Sequence, residues 1–204
     1  MKVILATNND NKAREIRAIL KGSDIELHTL SEMGLESDPD ETGETFLENA
    51  TLKAQSALKA VKEKHLEGFA IAADDSGLCV DALGGGPGVY SARYARVPGK
   101  TCTYKDNNKK LLKEMKKVPR EERTAHFETV AVLIKPDGKT ESAVGRLEGA
   151  IGKKSVGHNG FGYDPIFIPE GTGITLAQLT SQEKDAISHR AMAFKNLFAS
   201  YISN

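Results

Sequence analysis

Two adjacent carboxylates, Asp74 and Asp75, follow the apolar run Phe69-Ala70-Ile71-Ala72-Ala73. A short apolar run bounded by glycine reads as a buried strand, here ending at the two acids. Open α/β sheets collect ligands at the carboxyl ends of their strands. Successive strand side chains point to opposite faces, so the two carboxylates need not do the same job. Paired carboxylates in that place suit a hard divalent cation such as Mg²⁺, which takes oxygen ligands. The alternative is a strand ending in a solvated Asp-Asp turn, and the segment alone does not choose between them.

Four further segments carry polar groups at suggestive spacings. Thr7-Asn8-Asn9-Asp10-Asn11-Lys12 joins an apolar run to a helical pattern. Backbone N–H groups at such a turn make an anion site, and Lys12 adds a positive charge for a phosphate. The glycines of a Walker A loop are missing, and an Asn/Asp-rich helix cap explains the same residues. In Glu41-Thr42-Gly43-Glu44-Thr45-Phe46-Leu47-Glu48-Asn49-Ala50, Glu44 and Glu48 lie near one helical face, while Asn49 and Lys53 share a neighbouring one. Thr45 to Glu48 also has the form of a capping box. The functional reading makes one acid of this segment a metal ligand facing Asp75, with Lys53 reaching phosphate oxygens.

Gly157-His158-Asn159-Gly160-Phe161-Gly162-Tyr163-Asp164-Pro165 alternates glycines with two aromatics. Glycine permits close backbone approach to a ligand. A displayed aromatic offers a base a stacking face, although aromatics also plug cores. Thr180 to Glu183 is a second capping box, followed by Lys184, His189 and Arg190. Acids for a metal, lysines for phosphates, aromatics for stacking and donors for base edges together form the inventory for hydrolysing a nucleotide.

Composition leaves that reading open and closes others. Lys plus Arg and Asp plus Glu both number 28 in 204 residues, so no net charge recommends nucleic acid or a membrane surface as partner. Cys79 and Cys102 sit outside any C-x-x-C or Cys/His cluster, which argues against zinc or a disulfide framework and suits a reducing compartment. The N-terminal apolar run is four residues, too short for a signal peptide. No run approaches the ~18 residues of a membrane helix. The expectation is a soluble, cytoplasmic protein with no membrane partner.

The elements that must position these groups alternate. Val3–Thr7 reads as a strand, and Ala13, Ile16, Ile19 and Leu20 as a helix ended by Gly22. A strand over Ile25–Leu30 follows, then a long helix with Phe46, Ala50, Ala54, Ala57, Leu58 and Val61 on one face. Gly84–Gly88 is a loop. A lysine-rich helix carries Leu111, Leu112 and Met115. Phe127–Lys135 and Thr140–Ile151 form a hairpin around Pro136-Asp137-Gly138. One closing helix bears Ile187, Ala191, Phe194, Leu197, Phe198 and Tyr201. This order predicts an α/β fold with a mixed sheet in two lobes.

The ordered set T-N-N-D-N-K, E-T-G-E-T-F-x-E-N-A-x-x-K-A, A-D-D-S-G-L, G-G-x-P-G-V-Y-S-A-R-Y, G-F-G-Y-D-P-I-F and I-S-H-R strongly resembles the inosine triphosphate pyrophosphatase family, from Val3 to the last helix. The resemblance implies one domain over residues 1–204: a two-lobed, elongated α/β fold around a mixed central sheet, with flanking helices, a substrate cleft between lobes, and homodimer assembly. It implies Mg²⁺-dependent hydrolysis of XTP, ITP or dITP to the monophosphate and pyrophosphate. It assigns Asp75 as catalytic acid and metal ligand, and Glu41 as the second metal ligand, with Asp40 a rival for that place. Thr7, Asn8, Asn9, Asp10, Asn11 and Lys12 become the triphosphate turn, Lys53 a phosphate-side lysine and Ser76 a substrate contact. Phe161, Gly162, Tyr163 and Asp164 become the base-binding loop; Lys184, His189 and Arg190 contact the base.

Donors from His189 and Arg190 would pair with a 6-oxo group and be left unpaired by an adenine amino group. Asp74 orients or helps to hold Asp75. The chain departs from the common bacterial T-G-N in reading Thr7-Asn8-Asn9. Asparagine tolerates positive φ, so the turn survives. A pyrophosphatase for another modified nucleotide and a non-catalytic nucleotide sensor are the competing readings.

Overall fold

The structure, a computed structural model, describes residues 1–202. The chain runs through β1 (Lys2–Leu5), α1 (Asp10–Ile19), β2 (Glu26–Thr29), α2 (Phe46–Glu63) and β3 (Ala70–Val80). It continues through α3 (Tyr104–Glu114), β4 (Thr124–Ile134), β5 (Thr140–Ile151), β6 (Phe167–Pro169), α4 (Ser181–Ile187) and α5 (His189–Leu197). The strands form one sheet in the order β2-β1-β3-β4-β5-β6. β1 pairs in parallel with β2 and β3, and β5 pairs antiparallel with β6, so the sheet is mixed. β4 and β5 turn at Pro136-Asp137-Gly138, where Gly138 N donates to Lys135 O at 2.9 Å.

The strand period of two sorts the core. Val3 and Leu5, Ala70 and Ala72, and Ala131 and Leu133 face one apolar cluster, which Ile16 of α1 and Ala193, Phe194 and Leu197 of α5 complete. The alternate residues Ile4, Ile71, Ala73, Val132 and Ile134 face a second cluster, covered by Ala50, Ala54, Ala57 and Val61 of α2. The small side chains of α2 let its axis lie close to the sheet.

Two compact units result. The first comprises Met1–Asp75, Thr129–Gly145 and the chain from His189 onward, and holds both of these clusters. The second comprises Ser76–Glu128 and Arg146–Ser188, around a core that includes Leu78, Val80, Leu111, Phe127, Ile166 and Phe167.

Three expectations change. β3 does not end at Asp74-Asp75 but continues to Val80. The two charges are met by lysines rather than by water, so nothing forces the strand to stop, and Leu78 and Val80 resume an apolar pattern in the second unit's core. The closing helix is two helices, broken at Ser188, whose extended backbone (φ −69°, ψ 145°) marks where the chain passes from the second unit to the first. Ile187 therefore belongs to α4, apart from the rest of its predicted stripe. Glu44 precedes α2 rather than sharing a helical face with Glu48, which turns back to accept from Glu44 N and Thr45 N at 2.7 and 3.0 Å.

α5 lies against β5 at Gly145. A Cβ there would come within 2.0 Å of His189 O and 2.5 Å of Ala193 N, both backbone atoms that cannot swing aside. Gly145→Ala is expected to lower thermal stability by at least the ~1–3 kcal/mol typical of overpacking. A melting curve checks this; an unchanged Tm would show that β5 and α5 are further apart than described.

Candidate active site

The sheet order decides where a ligand belongs. The chain leaves β1 through α1 to β2, then recrosses through α2 to β3 on the other side, with α1 and α2 on opposite faces. Such a reversal between β1 and β3 opens a crevice at the carboxyl ends of the parallel strands. β1 stops at Leu5, opposite Ala72. After Ala73 come Asp74 and Asp75, beyond the end of β1.

Alternation then divides the two acids between helices. Asp74 points to the α1/α5 face, where Lys12 Nζ lies 2.8 Å from its Oδ2 and Arg190 Nε 3.6 Å. Arg190 also pairs with Glu15 of α1. Asp75 points to the α2 face, where Lys53 Nζ lies 2.7 Å from its Oδ1. The same ammonium is 2.8 Å from Glu41. Asn49, one turn before Lys53, brings its Nδ2 to 3.5 Å from Asp75 Oδ2. Its Oδ1 accepts from Gly43 N at 2.9 Å, which ties down the loop carrying Glu41. A Cβ on Gly43 would strike Glu48 and Asn49 within 2.7 Å, so this loop requires glycine.

These contacts set the charge states. Burial pushes the Asp75 carboxyl above its usual range, and Lys53 and Lys12 only partly oppose it. Burial also disfavours the Lys53 ammonium, but Asp75 and Glu41 outweigh it and hold its pKa up. Asp75 rises because it is buried, and Lys53 because two carboxylates share its ammonium. Lys12 is lowered, first by burial and then by the nearby cations Arg190 and Lys53, against the pull of Asp74. Three buried or half-buried cations crowd at one strand end, each held by at least one carboxylate.

The Thr7–Lys12 turn is built from its own side chains. Thr7 Oγ1 accepts from Asn9 N at 3.2 Å. Asn9 caps α1, its Oδ1 accepting from Asn11 N at 3.0 Å and Lys12 N at 3.3 Å. Asn8 Nδ2 donates to Ser37 O at 3.0 Å, Asp10 opens α1, and Asn11 accepts from Arg14.

The remaining predicted residues, His189 apart, belong to the second unit. Asp164 is buried, and its Oδ2 accepts from Phe161 N at 2.8 Å and Lys184 Nζ at 2.6 Å. It is thus the anchor of the glycine-aromatic loop. A Cβ on Gly160, which has φ +72°, would fall 2.0 Å from that oxygen. Lys184 Nζ lies 4.7 Å above the half-buried Phe161 ring. Tyr163 faces inward, donating to Ser91 O at 2.9 Å, so only one of the two aromatics is displayed. Ser76 is half-buried at the start of this unit. His189 is buried at the start of α5 in the first unit. Sequence reasoning missed Glu15, the partner of Arg190, and Asn108, whose Nδ2 donates to Gly162 O at 3.0 Å. The signal for Asn108 was available: it lies three residues before Leu111, on the apolar stripe of α3.

Among the described residues, no three His, Cys, Asp or Glu side chains converge as a ready-made metal centre. The donor set present is the Glu41–Asp75 pair, held within reach of one cationic point. These are the two carboxylates that would hold a Mg²⁺, an ion that keeps several waters and uses one or two carboxylates alongside substrate phosphates.

A parallel-to-mixed sheet with this carboxylate–lysine cluster at its switch point defines a class, and comparison places the chain within it. The Ham1 family model matches residues 3–200, and the chain belongs to that family. It is 47% identical to a dITP/XTP pyrophosphatase of Thermoanaerobacter sp. (strain X514), covering 97% of this chain and 94% of that one. It is 43% identical to the dITP/XTP pyrophosphatase of Bacillus subtilis (strain 168), covering 96% and 94%. Among solved structures it is similar to a HAM1 protein from Coxiella burnetii (TM-score 0.84, 37% identity, 98% of both chains). It is likewise similar to the Staphylococcus aureus Ham1 protein (TM-score 0.82, 38% identity, 98% and 97% covered). No helix of the described residues is long and apolar enough to cross a membrane.

Proposed function

We propose that this protein is a Mg²⁺-dependent pyrophosphatase of dITP, ITP and XTP. Water adds to the α-phosphorus, the α–β anhydride bond breaks, and the products are the nucleoside monophosphate and pyrophosphate. The observation that carries the reading is the Glu41–Lys53–Asp75 triad beyond the end of β1, in a chain closely related to dITP/XTP pyrophosphatases.

The triphosphate goes to the cluster of Lys12, Lys53 and the Thr7–Asn11 turn, and the base to the Phe161–Asp164 loop. Lys12 and Lys53 stabilise charge developing on the phosphate oxygens. Asp75, buried and raised in pKa, is a suitable acceptor for the proton of the attacking water. Glu41 and Asp75 would hold Mg²⁺, which supplies charge neutralisation on the phosphates when bound. Asp74, already committed to Lys12, positions that lysine.

Incubation with ITP, dITP and XTP, with and without Mg²⁺, tests the reading. Pyrophosphate and monophosphate are expected in equal amounts, abolished by chelation. Orthophosphate release, or equal kcat/KM for GTP and ITP, overturns it.

A pH profile follows from the burial of Asp75. A base must be deprotonated to act, and this carboxyl's pKa is raised above 3.8. In the metal-free protein, an NMR titration of Asp75 is therefore expected to run above the ordinary aspartate range, and added Mg²⁺ to pull it down. A metal-free titration at or below that range counts against Asp75 as a buried base.

A further inference from the structure

α3 places two adjacent asparagines in the second unit, and they are used differently. Asn107 spends both ends of its amide: Oδ1 accepts from Ala95 N at 2.7 Å, and Nδ2 donates to Ser91 O and Ala92 O at 3.2 and 3.1 Å. Asn108 spends one. Its Nδ2 donates to Gly162 O, inside the glycine-aromatic loop. A carbonyl can be met only by the NH₂ end, which fixes the amide's orientation. The other end is an acceptor. Asn108 is 6% exposed, yet its Oδ1 meets no donor among the described residues. A buried acceptor left without a donor is costly, and such groups ask for an explanation.

The neighbourhood says what kind of donor belongs there. Tyr104 and Asn108 are one turn apart on the same face of α3. Tyr104's ring lies 6.0 Å from that of Phe161, and Asn108's amide is fixed to the next residue of the loop. The unspent acceptor thus belongs to a side chain fastened to the loop that displays Phe161, one helical turn from the ring of Tyr104. A flat heterocycle stacked on Phe161 would present its edge there. The lysine nearest the ring, Lys184, is held by Asp164.

We propose that Asn108 reads the base, its Oδ1 accepting a hydrogen bond from a ring N–H. This rests on the assignment of the Phe161–Asp164 loop to the base. A 6-oxopurine carries a proton on N1 and can donate; adenine has a bare N1, which would set two acceptors against each other. Asn108 therefore favours inosine and xanthine nucleotides over adenine nucleotides from the acceptor side. It does not distinguish guanine, which also carries the N1 proton.

The test uses the full chain and two probes: α,β-methylene ITP, and the matching analogue of purine riboside triphosphate, which has neither the 6-oxo group nor the N1 proton. Binding is measured by calorimetry for the parent, Asn108→Leu and Asn108→Asp, with kcat/KM for ITP alongside. Asn108→Leu is expected to weaken the ITP analogue by about 10-fold or more and leave the purine riboside analogue within about 2-fold. Asn108→Asp keeps an acceptor but loses the donor to Gly162, and is expected to retain most of the preference between the two probes. Equal weakening of both probes by Leu would mean that Asn108 only braces the loop, and overturns the proposal; so does no weakening. If the parent binds the ITP analogue with this pattern but cleaves no triphosphate, the hydrolase reading falls and base recognition by Asn108 stands. If the parent binds neither probe, both fall.

Discussion

Asp75→Asn is expected to reduce kcat by about 10²–10⁴-fold, the usual worth of a general base, while nucleotide affinity stays within a few-fold. Two features of the geometry support the split. The cations assigned to phosphate do not depend on Asp75 for their place: Lys12 is held by Asp74 on the opposite face, and Lys53 keeps Glu41. The amide of asparagine also fits the same space beside Asn49.

Stability gives the control. The folded pKa of Asp75 is raised above its unfolded value. The folded state therefore binds more protons between those two values, and the group's charging lowers stability as pH rises through that window. A neutral replacement removes this cost near neutral pH. The Tm of Asp75→Asn is expected to match or exceed the parent's, as is common where function holds a strained charge. Unchanged turnover removes Asp75 from the chemistry. Lost turnover with a lower Tm would instead indicate a folding defect.

That the two acids face opposite sides of the sheet was legible in the sequence. The run Ala70-Ile71-Ala72-Ala73 carries a strand's alternation straight into Asp74 and Asp75, so opposite faces followed from the period alone. The partner of Asp75 was also within reach, because Asn49 and Lys53 are one helical turn apart on a helix whose cap is written in Thr45 and Glu48. The partner of Asp74 was not: Lys12 is 62 residues away, and no local pattern links them.

The same limit explains the misplaced end of β3. Two adjacent acids look like a strand terminator until their lysines are seen. Arg190 shows the limit from the other side. Its apolar neighbours marked a helix, but the packing of α5 against α1 and the sheet is what brings it to Asp74 and Glu15. Local periodicity wrote the sheet and its helices; long-range charge pairing assembled the site.

The largest effect on stability is expected at Lys184, where that pairing is most buried. Lys184 and Asp164 side chains are 5% and 4% exposed, with 2.6 Å between Nζ and Oδ2. Removing one member of such a pair leaves a charge uncompensated and costs about 3–5 kcal/mol. Lys184→Met is therefore expected to lower the Tm by several degrees for each kcal/mol lost; about 2–4 °C is usual for a chain of this size. Asp164 would still accept from Phe161 N, so the loop keeps one tether and loses the ammonium above the aromatic ring.

The kinetic signature should differ from that of Asp75. KM for ITP is expected to rise more than kcat falls, because the loop is assigned to binding and not to the attacking water. The double variant Lys184→Met/Asp164→Leu removes the stranded charge and should regain part of the Tm, since an apolar pair of similar volume often replaces a buried ion pair without loss. It should not regain KM, because Phe161 N then loses its bond to Asp164. A double variant less stable than Lys184→Met would mean that Asp164's bond to the loop, rather than its charge partner, dominates the fold of this segment.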